Sequence, residues 1–319
     1  MIIEELIKKT KIVIAPMAGI TDPPFRNLCR TFGAELCYTE MISAMGIVKG
    51  DKKSLDFTFQ KNEHPVAIQI FGADPNAMAF AAHHFQDLGA DMIDINLGCP
   101  VKKVAKQKAG AALARDIVLT EKIISAVRSA TKIPLSIKIR LGWNNNEENY
   151  LDLCKIAENN GVNVLCLHPR YAVQMYSGLS NWHKLNEIRK VFSGVIIGSG
   201  DLKTPENITA HLSEYDVDAV MLGRGLWGNP WLISDYLLKD RQPLQETMVL
   251  HFKYLSSFHG EKKAAILFRK FISKYVKGLP NAHELRMVGN TFSSSNDLPE
   301  LIRLMQNQCY TPETSFGKV

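Results

Sequence analysis

Eight short runs of apolar, largely β-branched residues recur along the first three-quarters of the chain. They are Ile12–Ala15, Glu35–Thr39, Val66–Phe71, Met92–Ile95, Leu135–Ile139, Val164–Leu167, Val195–Ile197 and Ala219–Leu222. Each run is nearly continuous in its hydrophobicity, as strands buried on both faces are. Stretches of helical period lie between most of them. Asp74-Pro75 and Thr204-Pro205 each set a capping residue before a proline suited to a first helical turn. Gly89, Gly161 and Gly194 fall where a helix or connection gives way to the next strand. This alternation predicts an α/β fold, a TIM (β/α)8 barrel with an all-parallel closed sheet.

From about Lys239–Pro243 onward only helical patterns follow, so the reading divides the chain into a barrel over 1–243 and an all-helical domain over 244–319. The clearest of these patterns predicts a helix from Ala264 to Leu279. Ala264, Phe268, Phe271, Ile272 and Tyr275 share one face, and Lys263, Lys270, Lys274 and Lys277 lie nearly opposite. The last dozen residues, with Pro312 and Gly317, are expected to fray.

A length of 319 residues accommodates a barrel of about 250 residues and a small appendage. No apolar run approaches the ~20 residues that span a bilayer. Met1 to Lys11 is amphipathic and carries no signal-peptide pattern, so a cytoplasmic location is expected; the chain is also expected to be a monomer. The cysteines (Cys29, Cys37, Cys99, Cys154, Cys166, Cys309) form no C-x-x-C pair, which argues for reduced thiols and against a disulfide framework or a metal site. Charge changes the picture more. Between Leu250 and Asn290 there are eight lysines and arginines against two acids, enough to equal the formal +6 of the whole chain. A solvated surface is the ordinary explanation of such a stripe; its coincidence with the net charge moves the reading toward a polyanionic partner.

A TIM barrel builds its active site at the C-terminal strand ends. Here those ends offer Ala15-Pro16-Met17-Ala18-Gly19, Glu40, Gln69, Asp94-Ile95-Asn96-Leu97-Gly98-Cys99-Pro100, Lys138 and Arg140, His168 and Arg170, Gly198-Ser199-Gly200-Asp201, and Gly223-Arg224-Gly225. Polar or glycine-rich groups at nearly every end are the pattern of an enzyme. The glycines of the last two loops let backbone N–H groups approach an anion where this fold usually holds phosphate, and Arg224 can grip phosphate oxygens. Gly223 to Gly228 also reads G-x-G-x-x-G, but helix follows where a dinucleotide fold needs a strand. Lys138 can be read as a Schiff-base nucleophile, a phosphate ligand or a donor to an electron-rich ring. Beside Arg170 and the glycine loops, His168 becomes a phosphate contact. Cys99 sits on a loop just ahead of Lys102, Lys103, Lys106 and Lys108, which favours a functional thiol, available as acid or nucleophile.

The chain resembles the tRNA-dihydrouridine synthase family, most closely its bacterial B-type branch. The resemblance rests on A-P-M-A-G-I-T-D-P-P-F-R (Ala15–Arg26), D-I-N-L-G-C-P with V-K-K-V (Asp94–Val104), K-I-R-L-G-W (Lys138–Trp143), Y-S-G (Tyr176–Gly178) and G-R-G-L-W-G-N-P-W (Gly223–Trp231). In the tail, F-R-K-F (Phe268–Phe271) and K-G-L-P-N-A-H-E-L-R (Lys277–Arg286) extend it. The resemblance implies FMN cradled by Pro16, Met17 and Ala18, with Gln69 and Lys138 at the polar edge of its ring. His168, Ser199, Gly200, Asp201, Gly223 and Arg224 would hold the ribityl and phosphate. Asn96 and Cys99 would face the uracil, Cys99 supplying a proton to C5 after hydride reaches C6, and NADPH would reload the flavin. It also implies tRNA as substrate, with Arg140, Arg170, Lys102, Lys103, Lys270 and Lys274 as expected contacts. Two places depart from the family pattern. Ser199 stands where asparagine is usual, and His168-Pro-Arg-Tyr-Ala172 lacks a second arginine. A barrel acting on a free pyrimidine and a non-catalytic tRNA-binding barrel are the rival readings.

Overall fold

A computed structural model describes residues 2–56 and 59–306, so Cys309 and the expected frayed end lie outside the described residues. Among the described residues nine strands form one parallel sheet: β1 (Ile12–Ile14), β2 (Cys37–Tyr38), β3 (Ile42–Ser43), β4 (Val66–Phe71), β5 (Met92–Asn96), β6 (Leu135–Arg140), β7 (Val164–His168), β8 (Val195–Ser199) and β9 (Ala219–Leu222). Neighbours pair in sequence from β4 to β9, β9 pairs β1, and β1 pairs β2. The pairing of Cys37 and Tyr38 with Val66 and Ala67 closes the ring, while Ile42 and Ser43 pair higher on β4 with Ile70 and Phe71. β2 and β3 are thus two pieces of one stave, and the barrel is the eight-stave TIM barrel the apolar runs predict.

The strand period of two decides what faces inward. Val13, Tyr38, Ala67, Met92, Val164, Val195 and Ala219 belong to one buried cluster, which fixes the interior face of those strands, and Ser136, bonded to Asp94, fixes that of β6. On that same face, one or two steps toward the C-terminal end, come Gln69, Asp94 and Asn96, Lys138, Cys166 and His168, and Ser199. The interior therefore changes from apolar below to polar above. The helix Ile3–Thr10 lays Ile3, Leu6 and Ile7 against the lower cluster and closes that end. Outer helices start where their caps foretell. Asp74 Oδ1 accepts from Ala77 N at 2.7 Å and Thr204 Oγ1 from Asn207 N at 3.2 Å, each with proline at the first turn.

The chain divides into two compact units, Met1–Gly225 and Leu226–Val319. The second is helical, with Trp231–Tyr236, Leu244–His259, Glu261–Tyr275, Ala282–Thr291 and Leu298–Gln306. In its core Phe268, Phe271 and Tyr275 meet His251, whose Nδ1 lies 2.8 Å from Tyr275 Oη, and Phe252 and Phe292 pack on Phe268. All five apolar residues read onto the inner face of the expected Ala264–Leu279 helix are buried. That helix spans Glu261–Tyr275 instead, because Gly278 at φ +89° and Pro280 cannot continue it. No helix among the described residues is long and apolar enough to cross a membrane.

Candidate active site

A connected set of polar groups fills the upper interior of the barrel. Asp94, wholly buried on β5, accepts from Ser136 Oγ at 2.6 Å and from Gln69 Nε2 at 2.6 Å. Tyr38 Oη lies 3.4 Å from Ser136 Oγ. Gln69 Oε1 accepts from Asn96 Nδ2 at 2.8 Å, and Asn96 Oδ1 accepts from the backbone N–H groups of Gly98 at 3.2 Å and Cys99 at 2.9 Å. The chain of bonds thus runs from the barrel interior to the Cys99 turn. Burial pushes the Asp94 carboxyl up to about 6, against the donors Ser136 and Gln69 and the charge of Lys138, which pull it down.

The Cys99 turn is clamped from its other side as well. The carbonyl of Cys99 accepts from Ala111 N at 3.0 Å. Gly110, at φ +62°, packs so closely that a Cβ there would lie 2.7 Å from Cys99 O. Gly98 passes its carbonyl to Arg140 Nε at 3.0 Å. The half-exposed Cys99 thiol has its pKa raised by burial, opposed by the Val101 backbone N–H and the charges of Arg140 and Lys138. A thiol in that condition keeps its proton at neutral pH. Lys138, opposite Asn96 on the neighbouring strand, is partly buried, and among the described residues its ammonium has no carboxylate partner. An unpaired cation there calls for an anionic or electron-rich ligand.

Four cations converge on His168, 8% exposed at the end of β7. Burial, then Lys138, Arg140, Arg170 and Arg224, hold its pKa well below the usual imidazole value, so the ring is neutral. Arg170 NH1 lies 2.9 Å from His168 Nε2. A guanidinium only donates, so Nε2 accepts and the ring proton sits on Nδ1. Arg170 is 1% exposed, and its remaining donors go to both Asp201 carboxylate oxygens at 2.7 Å, Gly178 O at 2.7 Å and Ser177 O at 3.3 Å. Both Gly200 and Asp201 adopt positive φ, +122° and +59°. A Cβ at Gly200 would collide with Ser180 Oγ at 2.2 Å and His168 Cδ2 at 2.9 Å. Ser180 Oγ is buried beside Asp201, whose carboxylate it helps to stabilise. A glycine cradle and a neutral N–H donor suit a phosphate. Ser199 Oγ turns instead to Met221 O at 3.3 Å. Tyr176, half exposed, has Arg224 4.2 Å and Arg140 5.6 Å from its ring centroid.

The first strand's loop meets the last. A Cβ at Gly223 would stand 3.7 Å from Met17 Sδ. Met17 N donates to Thr21 Oγ1 at 2.8 Å, Thr21 O accepts from Arg26 NH1 at 2.6 Å, and Arg26 pairs with the fully buried Glu63. Gly19 N–H donates to Glu40. Pro16, Met17 and Ala18 are thereby held at the mouth with Gln69, Asn96, Cys99, Lys138, Arg140, His168, Ser199 to Asp201, Gly223 and Arg224. Lys102 and Lys103 stand exposed on the short helix Lys102–Ala105 after Cys99. In the helical unit Lys270 lies 4.9 Å from the Phe271 ring and Lys274 4.3 Å from Trp227, both half-buried along their stems. Sequence reading passed over Ser136, Ser180 and Gly110. The first is signalled by its period-two alignment with Lys138; nothing local marks the other two.

A parallel barrel whose polar mouth gathers one thiol, one lysine without a carboxylate partner and glycine-lined turns has the make-up of a TIM-barrel enzyme. The sequence profile of the dihydrouridine synthase (Dus) family matches residues 13–310, and the chain belongs to that family. It is 36% identical over 289 residues to a probable tRNA-dihydrouridine synthase of Rickettsia bellii, covering 87% of this chain and 89% of that one. It is 34% identical over 297 residues to tRNA-dihydrouridine synthase B of Pseudomonas aeruginosa, covering 90% of each. Among solved structures, histamine dehydrogenase from Rhizobium sp. 4-9 aligns with a TM-score of 0.56 at 11% identity, over 76% of this chain and 49% of that one. Morphinone reductase aligns at 0.51 with 14% identity, over 74% and 88%. These two likenesses are of fold.

Proposed function

We propose that this protein is an FMN-dependent oxidoreductase that reduces the C5–C6 double bond of uridines in tRNA, with NADPH as the reductant of its flavin. The observation that carries the reading is the meeting of a protonated Cys99 thiol, the Asn96 amide and the unpaired Lys138 ammonium at one barrel mouth. Lys138 and the second N–H of Gln69 suit the polar edge of a flavin ring resting on Pro16, Met17 and Ala18. The N–H of His168 Nδ1, the backbone of Gly200, Asp201 and Gly223, and the side chains of Ser199 and Arg224 suit the ribityl and phosphate. When bound and reduced, FMN supplies the hydride that C6 of the base receives. Cys99 gives its proton to C5, Asn96 and Arg140 hold the base, and the resulting thiolate regains a proton from solvent. Arg170 serves this site by fixing His168 and Asp201.

A base in folded RNA has to leave its stack to reach such a mouth. Lys102 and Lys103 beside it, and Lys270 and Lys274 in the helical region 244–319, supply salt-sensitive contacts to backbone phosphate. The test is to incubate the protein with NADPH and unmodified tRNA and to map dihydrouridine by position. A yellow protein that converts particular uridines is the expected result. If no uridine gains two hydrogens, the reading is wrong.

A further inference from the structure

The turn after β8 holds one residue against its backbone preference. Asp201 sits at φ +59°, a left-handed conformation that residues with a Cβ seldom take. Turning the Gly200–Asp201 peptide end over end would relieve it. Such a turn is a counter-rotation about Gly200 ψ and Asp201 φ that leaves both Cα atoms nearly in place. It takes Asp201 to a φ of about −120°, open to any residue. The bonds of the Asp201 carboxylate to Arg170 NH2 at 2.7 Å and Ser180 N at 2.8 Å hold the side chain and do not oppose the turn. The carbonyl does. Trp182 Nε1 donates to Gly200 O at 3.1 Å, and an indole N–H only donates. A turned peptide would set its own N–H against that donor.

Trp182 stands on the outer side of the barrel wall. Val195 and Ile197 face the interior, so Gly198 between strand and turn faces out. A Cβ at Gly198 would collide with Trp182 Cζ3 and stand 2.7 Å from its Cη2, so the indole fills the space a side chain would take. Its ring is seated against His211 at 4.3 Å and Tyr215 at 5.6 Å between centroids, and the residue is 4% exposed. Gly200 O is therefore drawn outward. In a trans peptide the N–H points opposite to the carbonyl, so the Asp201 N–H faces inward at the mouth. Among the described residues no protein acceptor meets it there.

We propose that Trp182 is a positioning residue that, by holding Gly200 O from outside the wall, keeps the Asp201 N–H aimed into the mouth as a fixed donor for an anionic group. Gly198 is the glycine that lets the indole come close enough to do so. That the anion is the phosphate of a flavin rests on the reading above.

Trp182→Phe keeps an aromatic ring in the wall and removes the N–H. Titrated into protein freed of flavin, FMN should bind this variant about tenfold more weakly than the wild type, the worth of roughly one hydrogen bond to a charged group. Riboflavin, which has no phosphate, should bind the two proteins equally. Gly198→Ala keeps the N–H but pushes the indole away, and it should show the same selective loss. A merely structural role for Trp182 would lower both affinities together. A second readout needs no ligand: a crystal structure of flavin-free Trp182→Phe should show the Gly200 carbonyl turned and Asp201 at negative φ. Equal losses for FMN and riboflavin, or a peptide that has not moved, overturn the proposal. A wild type that holds riboflavin as tightly as FMN would instead sink the phosphate reading, and the crystal structure would still decide what the indole does.

Discussion

Replacing Arg26 with methionine should destabilise the barrel strongly and weaken flavin binding by a separate route. Arg26 is 1% exposed and gives two donors to Glu63, which is 0% exposed, with Nε at 2.8 Å and NH2 at 2.5 Å. Glu63 is shut off from solvent, and its Oε1 lacks a partner among the described residues. Removing the cation from a buried pair costs about 3–5 kcal/mol, because the remaining charge is left uncompensated. For a unit of this size each kcal/mol moves the melting temperature by about 2–4 °C, so Arg26→Met should melt roughly 6–20 °C lower. The double variant Arg26→Met/Glu63→Met removes both charges and should recover most of that loss. Flavin affinity should not recover with it, since Arg26 NH1 also holds Thr21 O at 2.6 Å and Thr21 Oγ1 holds Met17 N at 2.8 Å. Melting curves with titration of FMN into the stripped proteins measure both. A double variant no more stable than the single one would refute the charge argument.

Cys99→Ser should keep FMN and tRNA bound yet turn over far more slowly. In the wild type the raised thiol pKa means that the proton donor survives through neutral pH and is lost only as pH rises past it; equal turnover in the serine variant would remove Cys99 from the chemistry. Gly110→Ala, forced both by φ +62° and by a contact of 2.7 Å with Cys99 O, should cut the rate by at least about tenfold. Unchanged Cys99 alkylation in that variant would count against the clamp. Lys138→Met should yield protein that purifies nearly colourless, because the arginines nearby are already engaged with backbone carbonyls, Asp201 or the Tyr176 ring; a fully yellow preparation would show the ammonium to be dispensable. In the helical unit, Gly228→Ala brings a Cβ to 2.5 Å from Lys274 Cβ at φ +82°, and proteolysis of residues 226–306 should become markedly faster.

The barrel was legible because strands buried on both faces read as unbroken apolar runs, and all eight runs coincide with staves. The same property hid the interior. Within M-I-D-I-N and L-S-I-K-I-R, Asp94 and Ser136 sit inside apolar runs, and only alignment with Met92 on the inner face separates them from the outward residues. The interruption between β2 and β3 was invisible for a related reason: Ile42 and Ser43 are too few to make a pattern. Arg170 reads in sequence as a group for an outside anion. Nothing local discloses that Ser177, Gly178 and Asp201 come back to surround it. Glycine is equally mute. Gly200 stands out beside Asp201, whereas Gly110 looks like any small residue until Cys99 is placed against it.

The helix at Ile3–Thr10 leaves the barrel with a single door. Protons exchanging with Tyr38, Asp94 and Ser136 travel by the same opening through which ligands arrive. Once that opening is covered, the interior keeps whatever charge it held a moment before. The protonation of those three groups is thus settled between visits, before a ligand covers the mouth.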